Sequence, residues 1–161
     1  MEELEAGEPR AVAAENARRK ALGIRPHPPR GLVLGADTEV AIDGEVLGKP
    51  RDAAQAREFA GRLAGRRHEV IGGIALARDG AIEAEDVVVT TVAFRAVEPA
   101  VLDWYVGTGE WEGRAGGYAI QGRGAALVAE IEGDYLNVVG LSIARLLDLA
   151  PELLPTGRDA T

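Results

Sequence analysis

Between residues 52 and 65 the apolar positions Ala56, Phe59, Ala60 and Leu63 follow an i, i+3, i+4, i+7 spacing, which puts them on one face of a helix. Asp52, with Gln55 three residues later, has the form of a capping box at its start, and Gly65 ends it. A second helix is expected over 10–22, rich in Ala, Arg, Glu and Lys; Pro9 suits its first position and Gly23 offers a left-handed stop. Pro26, Pro28 and Pro29 prevent continuation and make 24–31 a surface connector. Elsewhere the apolar pattern changes to runs that flank turns. Leu32-Val33-Leu34 predicts a buried strand, and residues 40–47 place Asp43-Gly44 between two apolar segments, a hairpin signal. Two longer strands are expected over 69–76 and 82–94, joined at Asp79-Gly80, the second carrying the β-branched run Val87-Val88-Val89-Thr90-Thr91-Val92. Pro99 opens a short helix to about residue 106, a glycine-rich loop spans 107–117, strands follow at 118–120 and 126–131, and a last helix covers 142–149. Strands alternate with helices, so the expected class is α/β: a mixed twisted sheet flanked by helices, in one domain over 1–161.

Composition narrows what such a domain does. The 161 residues, 47% of them hydrophobic, suffice for a core, and the absence of cysteine excludes both disulfides and thiolate-held zinc. With 26 acids against 18 bases the formal charge is -8, so the mean field repels polyanions. No general nucleic-acid surface is expected, and any phosphate ligand must be held by local cations or by metal. No apolar run approaches the roughly 18 residues that span a bilayer, and Glu2, Glu3 and Glu5 stand where a signal peptide carries bases, which places the chain in the cytoplasm.

Three polar positions stand out against this pattern. Asp37 follows Leu32-Val33-Leu34-Gly35-Ala36, at or just past the carboxyl end of the expected strand, where open α/β sheets bind ligands; a turn-capping aspartate fits the same local pattern. Lys49 lies in Leu47-Gly48-Lys49-Pro50, where glycine admits a ligand close to the backbone and proline stiffens the exit; a solvated hairpin-end lysine reads the same. Gln121 is a neutral amide within the glycine-rich segment 114–124, able to donate to and accept from the N3 and carbonyl edge of uracil or thymine, or simply to point outward from a glycine-rich hairpin. His27 and His68 share no carboxylate or cysteine cluster, so histidine ligation of metal is not expected, and Trp104, Tyr105 and Trp111 read as packing residues.

In order along the chain, Leu34-Gly35-Ala36-Asp37-Thr38, Leu47-Gly48-Lys49-Pro50, Arg66-Arg67-His68-Glu69-Val70, Thr108-Gly109-Glu110, Ala115-Gly116-Gly117-Tyr118-Ala119-Ile120-Gln121-Gly122 and Asn137-Val138-Val139-Gly140-Leu141 resemble the Maf family. The resemblance runs over about residues 3–149 and implies an inosine-triphosphatase-like fold and a nucleoside triphosphate pyrophosphatase. The Tyr-x-Ile-Gln-Gly form is similar to the branch acting on dTTP and UTP. By the same resemblance Asp37 is the proton acceptor, Thr38 and Gln121 select the base, and Lys20, Lys49 and Arg114 meet the phosphates. Asp37 and Glu3 would hold a divalent cation, Mg²⁺ or Mn²⁺. Two-fold pairing into a homodimer is expected.

Departures from the family pattern accompany the match. The chain begins after the family's opening apolar strand and Ser-x-Ser-Pro-Arg-Arg-like loop, so an N-terminally truncated form of the fold is expected. Glu39 stands at a usually apolar position, either near the metal or facing water; Gly72 replaces a hydroxyl residue, removing one hydrogen bond to phosphate; Arg114 replaces a lysine. The rival expectation is a degenerate, non-catalytic nucleotide-binding or protein-interaction module.

Overall fold

The computed structural model describes residues 7–27 and 30–155. In chain order the regular elements are α1 (Pro9–Leu22), β1 (Val33–Ile42), β2 (Glu45–Leu47), α2 (Ala53–Leu63), β3 (Arg67–Arg78), β4 (Ala81–Phe94), α3 (Pro99–Gly107), β5 (Val128–Glu132), α4 (Tyr135–Val139) and α5 (Ile143–Leu149), with short 3₁₀ turns at Ala115–Gly117, Arg123–Leu127 and Pro151–Leu153. The strands form one sheet in the order β2-β1-β3-β4-β5. The α/β class and the flanking helices are as expected. The sheet differs in one respect: every described pair is antiparallel, β1–β2 and β3–β4 through tight hairpins, and β1–β3 and β4–β5 across longer connections that carry α2 and α3.

Both hairpin signals hold. Asp43 (φ 55) and Gly44 (φ 76) turn β1 into β2, and Asp79 (φ 50) and Gly80 (φ 79) turn β3 into β4, the paired positive φ angles that match the twist of the flanking strands. Asp52 caps α2 by accepting from the Gln55 N–H, while the Gln55 side chain reaches one residue further back than a capping box requires, to the Arg51 N–H. Ser142 likewise caps α5 through the Arg145 N–H. Gly23 does not provide a left-handed stop; its φ is −79, and the helix ends in right-handed geometry with the Gly23 N–H still bonded to the Arg19 carbonyl. Residues 118–120 are not a strand but the lead-in to a turn, and 126–127 belong to a 3₁₀ turn that delays β5 to Val128.

The two faces of the sheet are packed differently. Odd-numbered residues of β1 and β3 face α1, where Ala13, Ala17 and Ala21, spaced four apart, are at most 1% exposed. The helix comes in close because the strands present glycines: a Cβ added at Gly35 would lie 2.1 Å from the Ala17 carbonyl oxygen, and one at Gly73 would lie 2.2 Å from that of Ala13. Even-numbered residues face the larger core, in which Val40, Val70 and Val92 meet Phe59 and Leu63 of α2 and Tyr105 of α3. β1 is thus buried on both faces over its last residues, from Glu39 to Ile42, while Leu34 near its start is exposed.

His68 is buried in that second core, 3% exposed, its Nε2 2.7 Å from the Tyr118 hydroxyl and its ring edge-on to Phe94 and Tyr118. Burial pushes its imidazole from 6.5 down to about 4, so the unfolded chain binds a proton in this interval that the folded chain refuses. Stability from this group is complete above pH 6.5 and is lost as the pH falls toward 4. The predicted loss is about 3 kcal/mol. Urea unfolding at pH 7 and pH 4 checks it: the stability gap between wild type and His68→Leu should narrow by about that amount at the lower pH.

Candidate active site

Asp37 lies in the middle of β1, not at a strand tip, because the strand continues through Ile42. The apolar run that marks its start is interrupted by Asp37-Thr38-Glu39, yet pairing of Asp37 with Gly73 and Glu39 with Ile71 keeps those residues extended. Asp37 points toward α1 and is 6% exposed. There Lys20, from the last turn of α1, donates to Asp37 Oδ1 at 2.6 Å. The close contact of Ala17 and Ala21 with Gly35 brackets this pair and sets the height at which the lysine reaches the carboxylate. Asp37 Oδ2 is buried without a hydrogen-bond partner among the described residues. A buried carboxylate oxygen in that state fits a ligand that brings its own positive charge or donor.

Lys20, Asp37, Thr38, Lys49, Arg114 and Gln121 all line one cavity of about 250 Å³. Three cations thus face one carboxylate across a small space in a chain whose net charge is -8. A second space of about 460 Å³ shares Asp37, Thr38, Lys49 and Ala115 with the first and extends past Arg51, Gln55 and Arg62. Thr38 is positioned by its hydroxyl, which donates to the Gly140 carbonyl at 3.5 Å. Lys49 follows β2, and the carbonyl of the preceding Gly48 accepts from the Gly116 N–H, tying the Gly-Lys-Pro segment to the glycine-rich loop. Nothing lies within 4 Å of where a Gly48 Cβ would stand, so the backbone there is open to a ligand. The Nε of Arg114 donates to the Glu110 carbonyl at 2.9 Å. Gln121 is exposed, on a turn rather than at the end of a strand, and its amide makes no hydrogen bond among the described residues. Glu3 lies outside the described residues.

Two determinants of this cavity carry no signal of their role in the sequence, although both stand in motifs of the family pattern. Val138 and Val139, which line it, belong to α4, a five-residue helix with no periodic signal of its own. Asn137, 1% exposed, pins that helix to the sheet: its Nδ2 lies within hydrogen-bond reach of the Val70 and Val88 carbonyls and of Thr90 Oγ1. Gly72 makes room for this amide, since a Cβ there would sit 2.0 Å from Asn137 Oδ1. The glycine therefore serves packing on one face as Gly73 does on the other, a role the expected loss of a phosphate contact did not anticipate. The second determinant is Glu110, whose carboxylate sits inside the Gln121 turn. Glu39 does not face water: it is 7% exposed and accepts from Asn16 Nδ2 at 3.4 Å.

As to metal, no group of three His, Cys, Asp or Glu side chains converges among the described residues. An all-protein cage is therefore not what these residues form. The unpartnered Asp37 Oδ2 suits instead a cation such as Mg²⁺, which keeps waters and substrate oxygens in its shell and takes one or two carboxylates from the protein. No helix of the described residues is long and apolar enough to cross a membrane.

The chain falls within a known class. The profile of the family described as Maf-like protein matches residues 1–153, and the chain belongs to that family. It is 46% identical over 147 residues to a dTTP/UTP pyrophosphatase of Symbiobacterium thermophilum, a match covering 91% of this chain and 75% of that protein. It is 48% identical over 139 residues to one of Anaeromyxobacter dehalogenans, covering 84% and 70%. To the dTTP/UTP pyrophosphatase of Pyrococcus furiosus it is 41% identical over 143 residues, covering 88% and 74%.

Proposed function

We propose that this protein is a nucleoside triphosphate pyrophosphatase of the cytoplasm that hydrolyses dTTP and UTP to the nucleoside monophosphate and pyrophosphate. The observation that carries the reading is the convergence, on one cavity, of a buried carboxylate, three cations and an amide that makes no hydrogen bond among the described residues. In this reading Lys20, Lys49 and Arg114 offset the phosphate charge that the acidic chain otherwise repels. Asp37 orients a water molecule and accepts its proton as the water oxygen bonds to the α-phosphorus. The bond between the α-phosphorus and the bridging oxygen breaks, and pyrophosphate leaves with that oxygen. Asp37 Oδ2, with Glu3 as the second carboxylate the family resemblance names, would hold Mg²⁺ or Mn²⁺, which supplies charge neutralisation at the phosphates when bound. Thr38 and Gln121 read the base: the Gln121 carbonyl accepts from N3–H of uracil or thymine, and its NH₂ donates to the O4 carbonyl.

Pyrophosphate release from dTTP, UTP, CTP, ATP and GTP in the presence of Mg²⁺ or Mn²⁺ tests the assignment. Faster turnover of dTTP and UTP is expected. Equal turnover of all five, or tight nucleotide binding without turnover, would refute it, the latter in favour of a non-catalytic binding module. Gln121→Glu removes the donor to O4 while keeping size, and should lower the preference for UTP over CTP by about tenfold or more, since a site built to pair a polar edge discriminates strongly through it.

A further inference from the structure

The Thr108-Gly109-Glu110 segment lies outside the cavity, yet it is bonded to the turn that carries Gln121. Thr108 starts the arrangement at the end of α3: its hydroxyl donates to the Tyr105 carbonyl at 2.6 Å and accepts from the Glu110 N–H at 3.2 Å. Gly109, at φ 73, allows the chain to reverse between them. The Glu110 carboxylate is thereby directed into the 119–124 turn, where Oε2 accepts from the Arg123 N–H and Oε1 from the Gly124 N–H, both at 2.9 Å. The Tyr105 hydroxyl closes the arrangement, donating to Glu110 Oε1 at 3.1 Å and accepting from the Ala119 N–H at 3.1 Å. Gly122 has no side chain for a steric reason: a Cβ there would lie 2.5 Å from Glu110 Oε2.

Three backbone N–H groups, on both sides of Gln121, are thus held by one carboxylate and one phenol. The Gln121 side chain is held by nothing among the described residues. An amide with a free side chain reads one edge of a base only if its backbone is fixed, because a loop that rocks presents it at varying reach and angle. The same Glu110 also accepts Arg114 Nε through its carbonyl, so one residue sets the spacing between a phosphate-side cation and the base-side amide.

We infer that Glu110, with Tyr105, is a positioning residue for base selection, acting through the Gln121 turn without touching the nucleotide. The inference rests on the reading of Gln121 given above. The ionic state of the clamp is consistent with it. Burial raises the Glu110 carboxyl, but the Arg123 and Gly124 N–H groups, the Tyr105 hydroxyl and the Arg114 guanidinium outweigh this and hold it below its ordinary range. Burial raises the Tyr105 phenol, which remains a donor.

The test is steady-state hydrolysis of UTP and CTP by wild type, Glu110→Gln, Tyr105→Phe, Glu110→Asp and Gln121→Glu. Glu110→Gln turns an amide NH₂ toward backbone N–H groups and should reduce the UTP-over-CTP ratio of kcat/KM by about tenfold, through a raised KM for UTP with kcat nearly kept. Tyr105→Phe, which keeps the ring in the core, should move the ratio in the same direction, and Glu110→Asp should restore part of it. A merely structural role would lower activity on both nucleotides together and leave the ratio unchanged. If Gln121→Glu shifts the ratio while Glu110→Gln and Tyr105→Phe do not, the positioning role is overturned and the base reading stands. If Gln121→Glu leaves it unchanged, the base reading falls and takes the clamp with it. Should Glu110→Gln fail to fold, Tyr105→Phe decides the question alone.

Discussion

Asp37→Asn should leave the protein folded and able to bind dTTP while turnover falls by about a thousandfold, the range expected when a general base is removed. The substitution keeps size and keeps an oxygen for Lys20, whose ammonium is 2.6 Å from Oδ1 in the wild type. The Lys20 side chain is 36% exposed, so water can take up the charge left unbalanced, and the fold does not depend on the pair. What the variant lacks is an acceptor for the proton of the attacking water, and with it one of the two carboxylates proposed to hold the cation. Pyrophosphate release and calorimetric titration on the same preparation separate the two effects. Turnover within tenfold of wild type would mean that a different carboxylate, Glu39 being the neighbour on the same strand face, takes the proton.

Gly35→Ala should destabilise the protein by about 4 kcal/mol, a large part of the margin by which domains of this size are stable. The added methyl would stand 2.1 Å from one backbone atom of α1 and 2.5 Å from another, and neither can rotate away as a side chain would. Relief requires the helix to lift off the sheet, which opens the alanine contacts at Ala17 and Ala21 and withdraws Lys20 from Asp37. Urea unfolding measures the loss, with Gly107→Ala as the control, since nothing lies within 4 Å of its added carbon. A small effect at Gly35, comparable with that at Gly107, would show that α1 is not seated on the strand in solution as described.

The local rules of chain geometry account for what was legible beforehand. Helix α2, with an apolar stripe and a side-chain cap, and the two hairpins, with Asp-Gly turns, follow from spacing and backbone preference alone. Interactions distant in sequence account for what was not. The polar triplet Asp37-Thr38-Glu39 reads as the end of a strand, but ladder pairing with β3 carries β1 through it. Residues 118–120 have strand-like apolar character, yet the Tyr105–Glu110 clamp and the Gly124 N–H draw them into a turn. Helix α4 is too short for periodicity, and it is tied to the sheet by Asn137, whose amide reaches the Val70 and Val88 carbonyls in the space that Gly72 leaves.

The candidate site divides the same way. That Lys20, Asp37, Thr38, Lys49, Arg114 and Gln121 share a cavity accords with the positions the family resemblance gives them, although Lys20 and Gln121 are about a hundred residues apart. Which atoms hold them in place was not legible, because Glu110 and Asn137 act through backbone groups that a sequence does not reveal.

The most direct test of the account follows the oxygen of the attacking water. With dTTP hydrolysed in heavy-oxygen water and the products weighed by mass spectrometry, one labelled oxygen should enter dTMP and none the pyrophosphate. Label in pyrophosphate, or release of dTDP with labelled inorganic phosphate, would contradict attack at the α-phosphorus and with it the role assigned to Asp37.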